Sequence, residues 1–244
     1  MKKLGTVIFM GTALMASSAA NAAWEWNWLV GATAGYADRS GDLSMGMTDG
    51  PAAAVPLGVT EVVKTHNDSG FAWGLLGGLQ AHCNGWVFGG ELNVDWRDFD
   101  DSRGFSFTSA SNNVNNAAAR FDRGAVVGLS GRVGYEFLPY FMPYVRLGVE
   151  TSNDELTLAG SDATPFTYGA STDKRTYRLV AGLGAEIPIP SVHGLSFRME
   201  YNHVTKANNS VTLNTTGTDG ATLVTAKMNP RTNMGKASLI YNFL

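Results

Sequence analysis

A single cysteine, Cys83, stands in the chain, so no internal disulfide can form and a cross-linked fold is excluded. It sits in the turn His82-Cys83-Asn84-Gly85, with no second ligand at metal-site spacing, and reads as an incidental thiol. Histidine is nearly as scarce. His66, His82, His193 and His203 are scattered and share no ligand spacing, so no metal and no cofactor is assigned. Basic residues are outnumbered, 18 Lys and Arg against 21 Asp and Glu, which argues against nucleic acid as a partner. Past the N-terminus no stretch approaches the roughly eighteen consecutive apolar residues of a membrane-spanning helix.

The N-terminus has the layout of a secretory signal: Lys2 and Lys3, an apolar run from Leu4 to Ala16, then the small-residue site Ala20-Asn21-Ala22. The apolar run is too short to cross a bilayer as a helix, so cleavage after Ala22 is expected. Residues 1–22 are then the signal peptide and residues 23–244 one domain.

What the chain has in abundance is alternation. In Leu129–Glu150, LSGRVGYEFLPYFMPYVRLGVE, two alternating runs meet at a short link. Val127, Leu129, Val133 and Tyr135 share one face of the first run, and Val145, Leu147 and Val149 one face of the second. The opposite faces carry glycine and charge. Period two marks a β-strand with different surroundings on its two sides, and the link makes the pair a hairpin. Similar runs occur near 26–36, 71–82, 86–97, 177–187, 195–204 and at the C-terminus. Asn84-Gly85 supplies the φ > 0 residues of a tight turn, and Pro188–Gly194 makes another short connection. Polar segments at 37–70, 98–122, 152–174 and 205–231 separate the remaining neighbours.

The words GRVGYEF (Gly131–Phe137), PYVRLGVE (Pro143–Glu150), FRMEYNH (Phe197–His203) and LIYNF (Leu239–Phe243) resemble the eight-stranded outer-membrane β-barrels that include the OmpA transmembrane domain and the opacity-type surface proteins. The resemblance implies an all-β, eight-stranded antiparallel up-and-down transmembrane barrel in a Gram-negative outer membrane. Four long extracellular loops and three short periplasmic turns would connect its strands. It also implies that the terminal strand, with Leu239, Tyr241 and Phe243, is read by the barrel assembly machinery; Leu244 follows the final aromatic.

Alternation alone leaves open whether the apolar face meets lipid or a soluble core, as in a lipocalin. Three features favour lipid. Glycines crowd the polar face, among them Gly31, Gly74, Gly128, Gly148 and Gly182, as the narrow lumen of a small barrel requires. Strand charges keep to that same face: Arg97, Arg132, Arg146, Arg178, Arg198 and Lys236 against Glu91, Asp95, Glu136, Glu150, Glu186 and Glu200. Equal numbers suggest a neutralised ion-pair network in the lumen. Aromatics such as Trp28, Trp73, Trp86, Tyr177 and Tyr241 gather toward strand ends, where headgroups favour them.

Three functions follow as alternatives. A plugged barrel with a structural role could meet a host or surface ligand through its loops, for adhesion or as a surface antigen. A narrow or gated pore could run through the charged lumen, although wide channels need more strands. An enzyme acting on lipid A has one candidate pair, His203 and Thr205, in a word that faintly resembles that of lipid A deacylases. Thr205 stands where serine would be and no glutamate follows to orient the histidine, so no catalytic residue is assigned. Among the loop words, PAAAVPLGVTEVV (Pro51–Val63) is apolar, while NNVNNAAAR (Asn112–Arg120) and NNSVTLNTTGTDG (Asn208–Gly220) are polar. On this reading Leu147→Arg should hinder membrane assembly, and Leu213→Ser, in the fourth loop, should be a mild control.

Overall fold

The alternating runs become strands that continue well past the points where the polarity changes. The computed structural model describes residues 24–49, 60–99, 102–108, 114–138, 140–161, 167–216 and 222–243. The expected signal peptide lies outside them, as do residues 51–59 of the apolar loop word, residues 112–113 and 217–220 of the polar words, and Leu244. The strands in chain order are β1 (Glu25–Asp49), β2 (Thr60–Cys83), β3 (Trp86–Phe99), β4 (Ser102–Thr108), β5 (Val114–Arg123) and β6 (Val126–Tyr135). They continue with β7 (Met142–Ser161), β8 (Thr167–Pro188), β9 (Leu195–Val204), β10 (Val211–Thr216), β11 (Thr222–Met228) and β12 (Arg231–Phe243).

Eight of these close a ring, β1-β2-β3-β6-β7-β8-β9-β12 and back to β1, every pairing antiparallel. Closure is what lipid demands, because each backbone N–H and C=O must find a partner within the protein. The ring turns its apolar face outward. Trp28, Val30, Leu75, Leu92, Leu129, Val145, Leu147, Leu183, Met199 and Leu239 are all exposed on the outside, whereas Glu91, Asp95, Arg97, Arg146 and Glu200 are buried within. A soluble barrel would show the reverse. Asn84 and Gly85 adopt φ of 50° and 79°, as their tight turn requires.

Much of each expected loop is strand. β1, β2, β7 and β8 run uninterrupted from the membrane into the extracellular space, and β4, β5, β10 and β11 form two further hairpins beside them. The pairings sort this upper storey into two four-stranded leaves, β4-β5-β7-β8 and β10-β11-β1-β2. Between the leaves lies a dry core. Ala119, Phe121, Leu156 and Leu158 from one meet Leu43, Met45, Val211, Leu213, Val224, Ala226 and Met228 from the other. Outward positions here are polar: Asp42, Asp122, Glu155, Thr212 and Lys227 are exposed.

Backbone parity is unbroken along β1. Leu29, Thr33, Ala37, Arg39, Leu43 and Met45 all point inward, but the chemistry inverts near Ala37-Asp38. The outside changes there from apolar, with Val30 and Tyr36, to polar, with Asp38 and Asp42, while the inside keeps a charge at Arg39 and turns apolar from Leu43 on. Leu213, expected as an indifferent loop position, is 2% exposed in the upper core, which makes it unfit as a mild control.

Candidate functional site

Between the dry upper core and the periplasmic mouth the lumen holds paired charges in three tiers, alongside small apolar clusters such as Leu29, Leu76 and Ile240. The lowest is a quartet from four strands. Arg132 Nη1 donates to Glu186 Oε2 at 2.7 Å, and Arg198 donates to Glu91 Oε1 at 2.9 Å and to Glu186 Oε2 at 3.0 Å. Arg132 Nε also lies 3.1 Å from Glu91 Oε1, and Arg132 Nη2 donates to the side-chain amide oxygen of Gln80. The Tyr144 ring sits 5.4 Å from both guanidinium carbons.

In the middle tier Arg146 reaches Glu200 at 2.7 Å, Ser130 at 2.8 Å and Asn93 at 2.8 Å. The Tyr144 hydroxyl and the Asn202 amide also donate to Glu200, at 2.7 and 2.5 Å. Lys236 Nζ donates to Asp95 at 2.7 Å, and the Asn93 amide supplies that carboxylate with a second donor at 2.7 Å.

The upper tier holds Arg97 on Glu150 through two hydrogen bonds, with Asp154 gathering Arg123, Arg178, Ser152 and Thr176. Arg39 pairs with Asp68 at 3.4 Å, its guanidinium 4.4 Å from the Phe99 ring centroid and 5.0 Å from that of Phe121. These two rings join the charged lumen to the dry core above. A buried ion is tolerated only with partners, and this stacking supplies them strand by strand.

Every lumen residue singled out from the sequence is buried and inward except Glu136. β6 ends at Tyr135, so the alternation that placed Glu136 inside no longer holds one residue later. Its carboxylate is half-exposed at the mouth and meets His82 Nδ1 at 3.1 Å. Sequence reasoning missed Arg39, Asp68 and Asp154, buried in segments read as loops, Arg123, which follows one of those segments, and Tyr144; Gln80, Asn93 and Asn202 fall on the polar faces of their strands as expected and join the network as neutral members. On β12, Leu239, Tyr241 and Phe243 lie on the lipid side, and Tyr241 and Phe243 meet edge to face with centroids 5.0 Å apart.

Little space remains within the tiers. A void of about 10 Å³ beside Asn93, Arg146, Asn202 and Lys236 has room for one water. Toward the periplasm the lumen opens on a cavity of about 410 Å³ lined by Gln80, His82, Glu136 and Glu186 with Phe137 and Phe141. His203, the one candidate for catalysis, turns its Nδ1 to Asn233 Oδ1 at 2.7 Å, while the Thr205 hydroxyl donates to the Lys206 carbonyl at 3.2 Å. Among the described residues no group of His, Cys, Asp and Glu could hold a metal ion.

The outer membrane protein beta-barrel domain model matches residues 8–243. No curated protein matches the chain by sequence. Among solved structures, Ail, the attachment invasion locus protein of Yersinia pestis, is 10% identical with a TM-score of 0.36, covering 86% of this chain and 98% of its own. Neisserial surface protein A is 13% identical with a TM-score of 0.37, covering 86% and 97%. The outer membrane protease OmpT of Escherichia coli is 10% identical with a TM-score of 0.45, covering 88% and 97%. Likeness at this level carries nothing about activity.

Proposed function

The chain belongs to the family of outer-membrane β-barrel domains, and from that premise we propose that it is a closed, non-enzymatic barrel whose extracellular storey serves surface contact. The observation that carries this reading is two closures in series. Any path from the periplasm must cross the ion-pair tiers and then the apolar core between the leaves. An ion entering that core would lose its hydration with no polar group to replace it. The narrow-pore alternative needs both barriers to open together. A lipid A-modifying role finds no support at His203, whose partner is an amide and not an acid.

The two-leaf storey carries β4, β5, β10 and β11 beyond the lipid-facing wall, an arrangement suited to adhesion or recognition of a host or surface ligand. Long, well-supported surface segments commonly carry such roles. The barrel reaches the outer membrane through a signal peptide cleaved after Ala22, and Leu239, Tyr241 and Phe243 on β12 present its assembly signal to the barrel assembly machinery.

Single-channel recording of the refolded mature chain in a planar bilayer tests the closure, with a heat-induced gel shift confirming the fold. Silence is expected. Discrete, reproducible openings would overturn the closed-barrel reading in favour of the narrow pore.

A further inference from the structure

The periplasmic cavity is blind. Its floor is the lowest tier, where Arg132, Gln80 and Glu186 meet across the lumen. A second cavity of about 250 Å³ under the Pro188–Gly194 turn shares Gln80, His82, Pro188, Ser196 and Asn242 with it, so the two form one vestibule. Its size falls within the range of small-molecule sites, roughly 300–1,000 Å³.

We propose that this vestibule binds a primary ammonium group carried on an apolar stem. The argument starts from charge. Glu136 and Glu186 both line the vestibule, and among the described residues no lysine or arginine does. Arg132 and Arg198 stand behind the floor, already bound to Glu91 and Glu186. The two arginines and two glutamates of the floor balance, so the surplus facing the space is the negative charge of Glu136, beside His82 at 3.1 Å.

Glu186 gives that charge a direction. The residue is 4% exposed, and its Oε2 accepts from both arginines. Among the described residues, its Oε1 accepts only from the Asn242 amide at 3.5 Å, the outer limit of a hydrogen bond. A buried carboxylate oxygen held this weakly can take a further charged donor.

The stem has its own wall. The link between β6 and β7 exposes Phe137, Leu138 and Phe141, which line the vestibule together with Met142. This link is held in place. Glu136 N donates to Gly85 O at 2.8 Å, and Leu138 and Phe141 exchange backbone hydrogen bonds at 3.3 and 3.0 Å. An ordered turn that keeps two phenyl rings at a carboxylate-lined mouth is suited to a cation, which is attracted to an aromatic face as well as to the carboxylates. A free alkylamine or the lysine side chain of a periplasmic polypeptide would present the same chemistry.

The test uses the refolded mature chain in lipid nanodiscs, titrated with n-hexylammonium and n-hexanoate, one stem with opposite charges. Amide shifts of Gln80, Glu136 and Met142 report on the site. Saturable shifts are expected with hexylammonium and none with hexanoate. Glu136→Gln, a half-exposed position that leaves the floor intact, should weaken the ammonium about five-fold, the effect of one charge near 4 Å in water. Nα-acetyl-lysine N-methylamide separates the sources: tighter binding than hexylammonium selects a polypeptide lysine, weaker binding a free amine. No saturable shift, equal shifts from hexanoate, or unchanged affinity in a Glu136→Gln chain that still shows the gel shift would overturn the proposal.

Discussion

Arg97 on β3 and Glu150 on β7 join across β6 through two hydrogen bonds of 3.1 and 2.7 Å, with both side chains almost wholly buried. This pair fastens two strands that share no ladder of their own. Removing one partner leaves the other charge buried and alone, so Glu150→Ala should cost about 3–5 kcal/mol. Urea unfolding in lipid vesicles measures the loss. The double substitution Arg97→Met with Glu150→Leu should recover most of it, because a packed apolar pair carries no desolvation penalty.

The outer face calls for a different experiment. Leu147 is 68% exposed at the middle of a lipid-facing run, and an arginine there should cost roughly 2–4 kcal/mol and block membrane assembly. Thr212, exposed on the upper storey, supplies the neutral comparison through Thr212→Ala. Assembly is read as the fraction of chain that shifts on a gel when heated.

Leu213→Ser should behave unlike either. It introduces a hydroxyl and a cavity between the two leaves, at a cost comparable to the roughly 2–5 kcal/mol of large-to-small core changes. The lipid-facing residues are untouched, so insertion should proceed. Limited proteolysis of intact cells should then cut the extracellular storey faster than in the parent chain.

Two barriers in series give a prediction about leakage. Phe121→Ala opens the upper core and takes one ring from Arg39 while leaving the middle and lowest tiers intact, and Arg146→Ala opens the middle tier and leaves the core intact. Each variant alone should stay silent in a planar bilayer. Conductance should emerge only in the double variant, and its emergence in either single variant would locate the whole barrier at that site.

The ring was legible in the sequence because alternation records which side of a strand meets lipid, and Leu129, Leu147 and Leu239 could face nowhere else once Arg132, Arg146 and Lys236 were placed inside. The upper storey was missed for a physical reason. Its outward positions, among them Thr212, Asn214, Thr225 and Lys227, are as polar as those of a loop, so composition hides the strands. The surviving signal is the period itself: Val211 and Leu213 flank Thr212, and Val224, Ala226 and Met228 enclose Thr225 and Lys227. Once those segments were read as loops, Arg39, Asp68 and Asp154 could not be counted with the lumen charges, and Arg123 fell between a loop and the next alternating run. Glu136 erred in the opposite direction, since a period carries no information beyond the end of its strand.

The interruptions in the wall have a mechanical meaning. β5 gives way to β6 at Gly124-Ala125, β9 to β10 across residues 205–210, and β11 to β12 at Asn229-Pro230, whereas β1, β2, β7 and β8 pass the same height unbroken. Tension applied to the outer tips therefore travels into the bilayer along two girders, the β1–β2 and β7–β8 hairpins, one in each leaf. The other two hairpins are jointed at the membrane surface and yield first. An outer-membrane barrel built this way absorbs a sideways tug by bending at the joints, while its anchorage in the lipid is carried by strands that have none.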